Sequence, residues 1–370
     1  MMAEKLRVAV LFGGRSGEHA VSLMSARSVL AALDEQKYHV LQVGITPEGR
    51  WLTGEKVLEA FEAQEYAGLK AVLVSPDPSE PGLYTLEGED LRKLSEVDIF
   101  FPVLHGTFGE DGTVQGLFEM ADAAYVGAGV LGSSVGMDKG LFNDVMTAND
   151  IRVVPTMVFL RSEIETDMES VLKQSERISP YPLFTKPANL GSSVGVTKCN
   201  NRSDLQEGLM EAAGYDRRVL VQMGVTKARE IEISVLGNDD PQVSVPGEVI
   251  PSREFYSYES KYMDGTSGLI IPAELPEMVT AQIRSMALRA YKAIDCSGMA
   301  RVDFFVERDT QRVYLNELNS IPGFTRISMY PKLWEASGVS YPQLVDRLIE
   351  LGMARKAERD RTQHTFRSAE

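Results

Sequence analysis

Only two cysteines, Cys199 and Cys296, occur among 370 residues, and no C-x-x-C spacing is present. A disulfide framework or a zinc knuckle is therefore excluded as the organising device. Positive charge is also scarce: 38 Lys and Arg stand against 53 Asp and Glu, a formal net charge of -15. That excess repels polyanions, so neither nucleic acid nor an anionic membrane surface is expected as the main partner. It leaves room for a small anion held by a few placed cations. No long apolar run appears. The opening "MMAEKLRVAVLFGG" is too short and too β-like for a signal peptide or membrane span, so a cytoplasmic protein is expected. Two phosphate-binding fingerprints are missing as well: there is no G-x-x-x-x-G-K-[ST], and the Gly-rich "FGGRSGEHAVS" lacks G-x-G-x-x-G.

What is there reads as an ordinary globular chain, 44% hydrophobic and 25% charged, long enough for two or three domains. The first third alternates short apolar strands with helical patterns. Leu6 to Phe12 is a buried strand followed by a Gly-rich turn and a helix; "YHVLQVGITPEGRW" and "VDIFFPVLHG" supply further strands. This pattern predicts an open α/β sheet, parallel in part, with ligands gathering at the carboxyl ends of strands. Phe12-Gly13-Gly14 and Leu104-His105-Gly106 lie at such ends. After about Met137 the helix "MDKGLFNDVMTANDI" leads into strands "VVPTMVFL" and "YPLFTKPA". From "RVLVQMGV" onward strands dominate, interrupted by one long helix whose Val279, Ile283, Met286 and Ala290 recur at helical spacing. The charged, aperiodic end is expected to be frayed.

Several constellations carry chemistry. In "RVYLNELNSIPGFT" strict alternation places Val313, Leu315, Glu317 and Asn319 on one face; in "GMARVDFFVE" it places Arg301, Asp303 and Phe305 together. Asp, Glu and Asn are the hard oxygen donors that Mg²⁺ selects. The alternative is a buried ion-pair network. Gly323 after Pro322 lets the backbone approach a ligand, and its N–H with the Arg301 guanidinium suits a developing oxyanion, though "PGF" is also an ordinary turn. Lys186 ends a strand ahead of Gly191-Ser192-Ser193, a donor-rich loop fit for phosphate, and Lys139 opens a helix; either lysine alone could be merely solvated. Glu18 in the first Gly-rich turn would repel a pyrophosphate and attract an ammonium, unless it caps the helix. His105, a core histidine or a ligand, neighbours Glu110, Asp111 and Gln115. The Tyr-rich "EFYSYESKYMDGTSG", with Tyr256, Tyr258 and Tyr262, reads as a long lid-type loop.

Taken in order, "LFGGRSGEHAVS", "LHGTFGEDGTVQG", "KPANLGSSVG", "REIEISVLG", "FYSYESKYMDG", "ARVDFF" and "NELNSIPGFTRISMYPKLW" resemble the D-alanine–D-alanine ligase family of the ATP-grasp superfamily over nearly the whole chain. The resemblance implies an α/β and α+β, three-domain ATP-grasp fold with an N-terminal open, partly parallel sheet. Its expected divisions are 1–137, a central subdomain 138–222 with the phosphate loop, a C-terminal subdomain 223–355 with the metal site, and a disordered charged tail 356–370. It implies ATP between two antiparallel sheets, with Lys139, Lys186, Ser193, Gln222, Glu230 and Lys261 around the nucleotide. Two Mg²⁺, or Mn²⁺ in their place, would lie on Asp303, Glu317 and Asn319. Glu18 would bind the first D-alanine's ammonium and be linked through Ser192 to Tyr262, with His105 lining that pocket. Arg301 and Gly323 would form the oxyanion hole, and Ser328 would meet the second D-alanine's carboxylate. The activity so implied is ATP-dependent joining of two D-alanines through D-alanyl phosphate, for peptidoglycan precursor synthesis, by a homodimer. The alternatives are another ATP-grasp carboxylate–amine ligase or a non-catalytic nucleotide binder. Two departures from the family pattern stand out: Ala20 replaces an acid, and Gln222 replaces the usual Glu in a hinge that is one residue longer. Tyr262 favours D-alanine over D-lactate as the second substrate.

Overall fold

The computed structural model describes residues 5–87, 90–250 and 268–363. Lys261, Tyr256, Tyr258 and Tyr262, and with them the expected lid, lie outside the described residues.

Leu6–Gly13 is the strand around which the first sheet is laid. Val8 to Phe12 are fully buried, the continuous apolar run of a strand covered on both faces. It pairs in parallel with Tyr38–Ile45 on one side and Ile99–Pro102 on the other. Beyond Tyr38–Ile45 the sheet turns antiparallel through Trp51–Thr53, Lys70–Val74, Leu83–Glu87 and Asp90–Ser95, seven strands in all among the described residues. The expected partly parallel sheet is present; the antiparallel extension was not legible, because its strands are short and two of them, Lys70–Val74 and Asp90–Ser95, are largely exposed. Since Leu6–Gly13 and Ile99–Pro102 are parallel neighbours, their carboxyl-end turns lie side by side. Gly13 and Gly14 both adopt left-handed φ, 86° and 102°, and a Cβ on Gly13 would overlap the Ile45 carbonyl.

Two antiparallel sheets follow. One has four strands, Thr197–Cys199, Leu183–Pro187, Arg218–Met223 and Thr156–Leu160 in spatial order, backed by helix Arg202–Tyr215. The other is built on Ala228–Leu236, Met299–Glu307 and Val313–Asn319, with Gly247–Ile250 and Gly268–Ile270 at one side, and is backed by helix Glu277–Ala293. That helix buries Val279, Ile283, Met286 and Ala290, the stripe that its spacing predicts.

The chain's end does not behave as its charge suggests. Helix Tyr341–Arg359 runs four residues into the segment expected to be disordered from 356. Its Leu344, Val345, Leu348 and Ile349 join one core with Val8, Val10 and Phe12 of the first sheet. Lys356 and Arg359 pair with Asp122, Arg359 also with Glu119, and the Arg355 guanidinium lies 3.9 Å over the Tyr125 ring. These charges are tertiary contacts, which is why they carry no helical period of their own. No helix among the described residues is long and apolar enough to cross a membrane.

Candidate active site

The register of the central strands builds the site. Asp303 stands directly opposite Glu317, and Arg301 opposite Asn319; on the other side Glu232 faces Asp303 and Glu230 faces Phe305. Val302, Phe304 and Val306 point into the core, leaving Arg301, Asp303 and Phe305 on the opposite face, as alternation predicts.

The alternation expected for the last strand is overturned. Phe304 pairs with Leu315 but Asp303 pairs with Glu317, so Asn316 is an extra residue, a β-bulge. Before the bulge Val313 and Leu315 face the core; after it Leu318 does. Glu317 and Asn319 are thereby turned off the apolar face and onto the face of Arg301 and Asp303. The bulge removes the conflict of a carboxylate and an amide sharing a face with core residues.

Two adjoining clefts open on this face. The larger, about 470 Å³, lies between the two antiparallel sheets and is lined by Lys139, Lys186, Ser192, Ser193, Gln222, Glu230, Asp303 and Glu317, among others. The smaller, about 50 Å³, is bounded by Glu18, His105, Glu110, Arg301, Asn319 and Gly323. Lys139, Gly191, Ser192 and Glu317 line both. Of the described residues to which the family resemblance gives a role, only Ser328 borders neither. It precedes helix Met329–Ala336, and its hydroxyl lies 2.7 Å from Thr325 Oγ1 and accepts the Thr325 N–H.

In the larger cleft Lys186 is partly buried, and desolvation pushes its ammonium down to about 8, with Glu317 opposing the shift and Lys139 adding to it. Lys139 donates to the Leu190 carbonyl at 2.9 Å and pairs with Glu317 at 3.4 Å. In the loop after Lys186, Ser192 and Ser193 both have left-handed φ, 51° and 60°, and Val194 N–H returns to the Gly191 carbonyl. That is the pattern of a tight reversed turn, held here by non-glycine residues. Gln222 is buried and donates to Thr156 Oγ1 at 3.1 Å.

In the smaller cleft Glu18 occupies the position before helix His19–Leu30, yet its side chain makes no capping hydrogen bond; the capping alternative fails. A Cβ on Gly191 would overlap Glu18 Oε1, so the carboxylate reaches the serine loop only because residue 191 is glycine. His105 is buried between Ser25 Oγ and the Ile321 carbonyl, each 2.9 Å from a ring nitrogen. One arrangement satisfies every group. Nδ1–H donates to Ile321, the Ser25 hydroxyl donates to Nε2, and Ser25 Oγ accepts the Phe324 N–H. Burial lowers the His105 pKa, in keeping with this neutral tautomer.

Two acids at the site were not assigned from sequence. Glu110 accepts the N–H groups of Gly106 and Ile321, at 2.8 and 2.9 Å, and burial followed by Glu18 pushes its carboxyl up to about 8. It stood in the polar loop after His105, but nothing local distinguished it from Asp111. Glu232, two residues before Ser234, which stands opposite Arg301, pairs with Arg301 Nε at 2.9 Å. The alternation Glu230, Glu232, Ser234 against Ile231, Ile233, Val235 was its available signal.

Arg301 also forms two 2.7 Å bonds with Asp303, whose second oxygen accepts from Asn319 Nδ2 at 3.1 Å. The ion-pair network foreseen as an alternative thus exists around the same side chains. Among the described residues no three His, Cys, Asp or Glu gather closely enough to hold a metal alone. Asp303, Glu317 and Asn319 nevertheless fit Mg²⁺: they are two carboxylates and an amide on adjacent strands beside a cationic cleft. That sparse set leaves coordination positions for phosphate oxygens and water, as Mg²⁺ sites in nucleotide enzymes do.

Sequence comparison agrees with this architecture. The family profile described as D-ala D-ala ligase N-terminus matches residues 7–128, and that described as D-ala D-ala ligase C-terminus matches 145–350. The D-alanine–D-alanine ligase of Natranaerobius thermophilus is 49% identical over 98% of this chain and 99% of its own, and that of Heliobacterium modesticaldum 48% over 96% and 97%. Among solved structures, the D-alanine-D-alanine ligase from Coxiella burnetii superposes with a TM-score of 0.82 at 37% identity, covering 97% of both chains. The VanG D-Ala:D-Ser ligase from Enterococcus faecalis gives 0.84 at 34%, covering 94% of this chain and all of that one. With two matching profiles, full-length relatives and a shared ATP-grasp architecture, the chain belongs to the D-alanine–D-alanine ligase family.

Proposed function

We propose that this enzyme joins two D-alanines to D-alanyl-D-alanine at the expense of ATP, supplying peptidoglycan precursor synthesis in the cytoplasm. The observation that carries this reading is the pair of clefts meeting at Lys139, Ser192 and Glu317: a nucleotide-sized space opens beside a small polar pocket. ATP in the larger cleft would have Glu230 and Gln222 at its nucleoside end and Lys139, Lys186 and Ser193 at its phosphates. Two Mg²⁺ on Asp303, Glu317 and Asn319 would offset the charge between triphosphate and carboxylate as they approach.

A carboxylate does not react with an amine until its oxygen is made a leaving group. In the smaller cleft Glu18 binds the first D-alanine's ammonium, which directs its carboxylate toward the junction. There the carboxylate oxygen attacks the γ-phosphorus, ADP leaves, and D-alanyl phosphate forms while Lys139 and Lys186 meet the negative charge. The second D-alanine, as free amine, attacks the carbonyl carbon; Arg301 and the Gly323 N–H receive the oxyanion, and phosphate departs. Asp303 and Glu232 fix Arg301 beforehand, so little reorganisation is left for the reaction itself. The loop holding Ser192, with Tyr262 as its expected partner, must exclude water from the acyl phosphate. Ser328 is assigned to the second carboxylate and requires its Thr325 bond to be exchanged. A homodimer is proposed on the family resemblance.

Phosphate release from ATP, assayed across D- and L-amino acids, tests the reading. Release with D-alanine and formation of the dipeptide support it. Release only with another amino acid makes the chain a different carboxylate–amine ligase, and none with any makes it a nucleotide binder.

A further inference from the structure

Asn189 stands at the foot of the serine-bearing loop, two residues after the strand Leu183–Pro187 ends. Its side-chain Nδ2 donates to two carboxylates from separate parts of the chain, Asp216 Oδ2 at 3.0 Å and Asp138 Oδ2 at 3.2 Å. Its backbone N–H donates to the same Asp216 oxygen at 2.9 Å. Carboxylates gathered this closely need positive charge, and the Arg218 guanidinium supplies it, its Nη1 2.5 Å from Asp138 Oδ2; the Arg218 backbone N–H donates to Asp216 Oδ1 at 3.1 Å. Asp138 in turn caps helix Lys139–Ala148 by accepting the Leu141 N–H at 2.9 Å.

Lys139, the next residue, is held by the two neighbours of Asn189. Its backbone N–H donates to the Ala188 carbonyl at 3.1 Å and its ammonium to the Leu190 carbonyl at 2.9 Å. A lysine side chain is long and rotatable, so fixing its tip costs entropy unless the acceptor is itself fixed. Here the acceptors flank a residue that is tied to the helix cap on one side and to Asp216 on the other. An amide NH₂ is suited to that post, since its two hydrogens can serve two carboxylates at once. A carboxylate or an apolar group in its place cannot.

We propose that Asn189 is a positioning residue for the nucleotide: by tying Asp138 to Asp216 it holds the Ala188 and Leu190 carbonyls, and through them the Lys139 ammonium, at the junction of the two clefts. The ligase reading enters only through the reaction that Lys139 serves. Because Lys139 holds the phosphates before transfer as well as during it, loss of the clamp weakens the ground and transition states alike.

The test uses the full chain and two readouts: the Kd for ADP with Mg²⁺ by calorimetry, and D-alanine-dependent phosphate release. Asn189→Ala is expected to raise the ADP Kd and the KM for ATP each about ten-fold, with kcat within about two-fold and the KM for D-alanine unmoved. Asn189→Asp, which sets a third carboxylate against the other two, is expected to weaken ADP binding further, about a hundred-fold. Asp216→Asn, which keeps the shape but removes the charged acceptor, provides an independent variant and should move the KM for ATP in the same direction. Unchanged ADP affinity in folded Asn189→Ala, or a parallel loss of kcat and D-alanine affinity, overturns the proposal. A parent chain that binds ADP but releases no phosphate with D-alanine defeats the ligase reading alone, and the ADP arm still decides Asn189.

Discussion

Lys186 should make nucleotide affinity fall above pH 8. Burial in the cleft wall holds its ammonium near 8 instead of 10.5. At about 1.36 kcal/mol per pH unit, keeping it charged there costs about 3 kcal/mol. A bound polyphosphate offsets that cost. If it restores the ordinary value, ADP affinity is flat below pH 8 and then drops towards ten-fold per pH unit until about pH 10.5. The Kd at pH 9 should therefore be about ten times that at pH 7, and at pH 8 binding should take up about half a proton. Calorimetry with ADP and no amino acid, in buffers of different ionisation heat, measures both while keeping the D-alanine ammonium out of the titration. Lys186→Arg is the control, because a guanidinium does not titrate in this range and its curve should stay flat. The sign for folding is opposite. The folded value lies below the unfolded one, so the unfolded chain carries more protons between about 8 and 10.5, and the stability contribution of Lys186 rises with pH across that window. A parent Kd unchanged up to pH 9.5, or the same rise in Lys186→Arg, would refute the reasoning.

Glu317→Gln should abolish turnover while leaving the thermal midpoint within a few degrees, since its pair with Lys139 is partly solvated and contributes at most about 1 kcal/mol; an active variant removes Glu317 from the metal set. Gly191→Ala, read by steady-state kinetics, should raise the KM for the first D-alanine at least about ten-fold by displacing Glu18, an effect of about 1.4 kcal/mol. An unaffected KM would mean that Glu18 does not hold the ammonium. Ser25→Ala leaves His105 Nε2 and the Phe324 N–H without their partner in a buried site, and urea unfolding should register a loss of about 2 kcal/mol. No measurable loss would show that water or a shift of the ring repairs the network.

How much of the site could be read in advance differs from residue to residue. Lys186, Ser192 and Ser193 were legible because an apolar strand ending in lysine, then a Gly/Ser loop, is a local pattern. Arg301 and Asp303 were legible because the strand alternates without interruption. Uninterrupted alternation puts Glu317 and Asn319 on the wrong face, since a single extra residue at Asn316 inverts every side chain beyond it. Glu110 has no such local signal: its perturbation comes from burial in the assembled site and from Glu18, which lies far off in the sequence.

The amino-acid order alone determined the buried central strands, the glycine turns and the inventory of acids, lysines and hydroxyls, because those depend on side-chain period and backbone freedom within a few residues. Only the tertiary structure decided that residues 344–349 share a core with the first strand, that the acidic strand bulges, and that Lys139 meets both Glu317 and the Leu190 carbonyl. Each of these joins segments far apart in the chain, and the energy that selects among such pairings belongs to the packed whole, so no short window of sequence contains it.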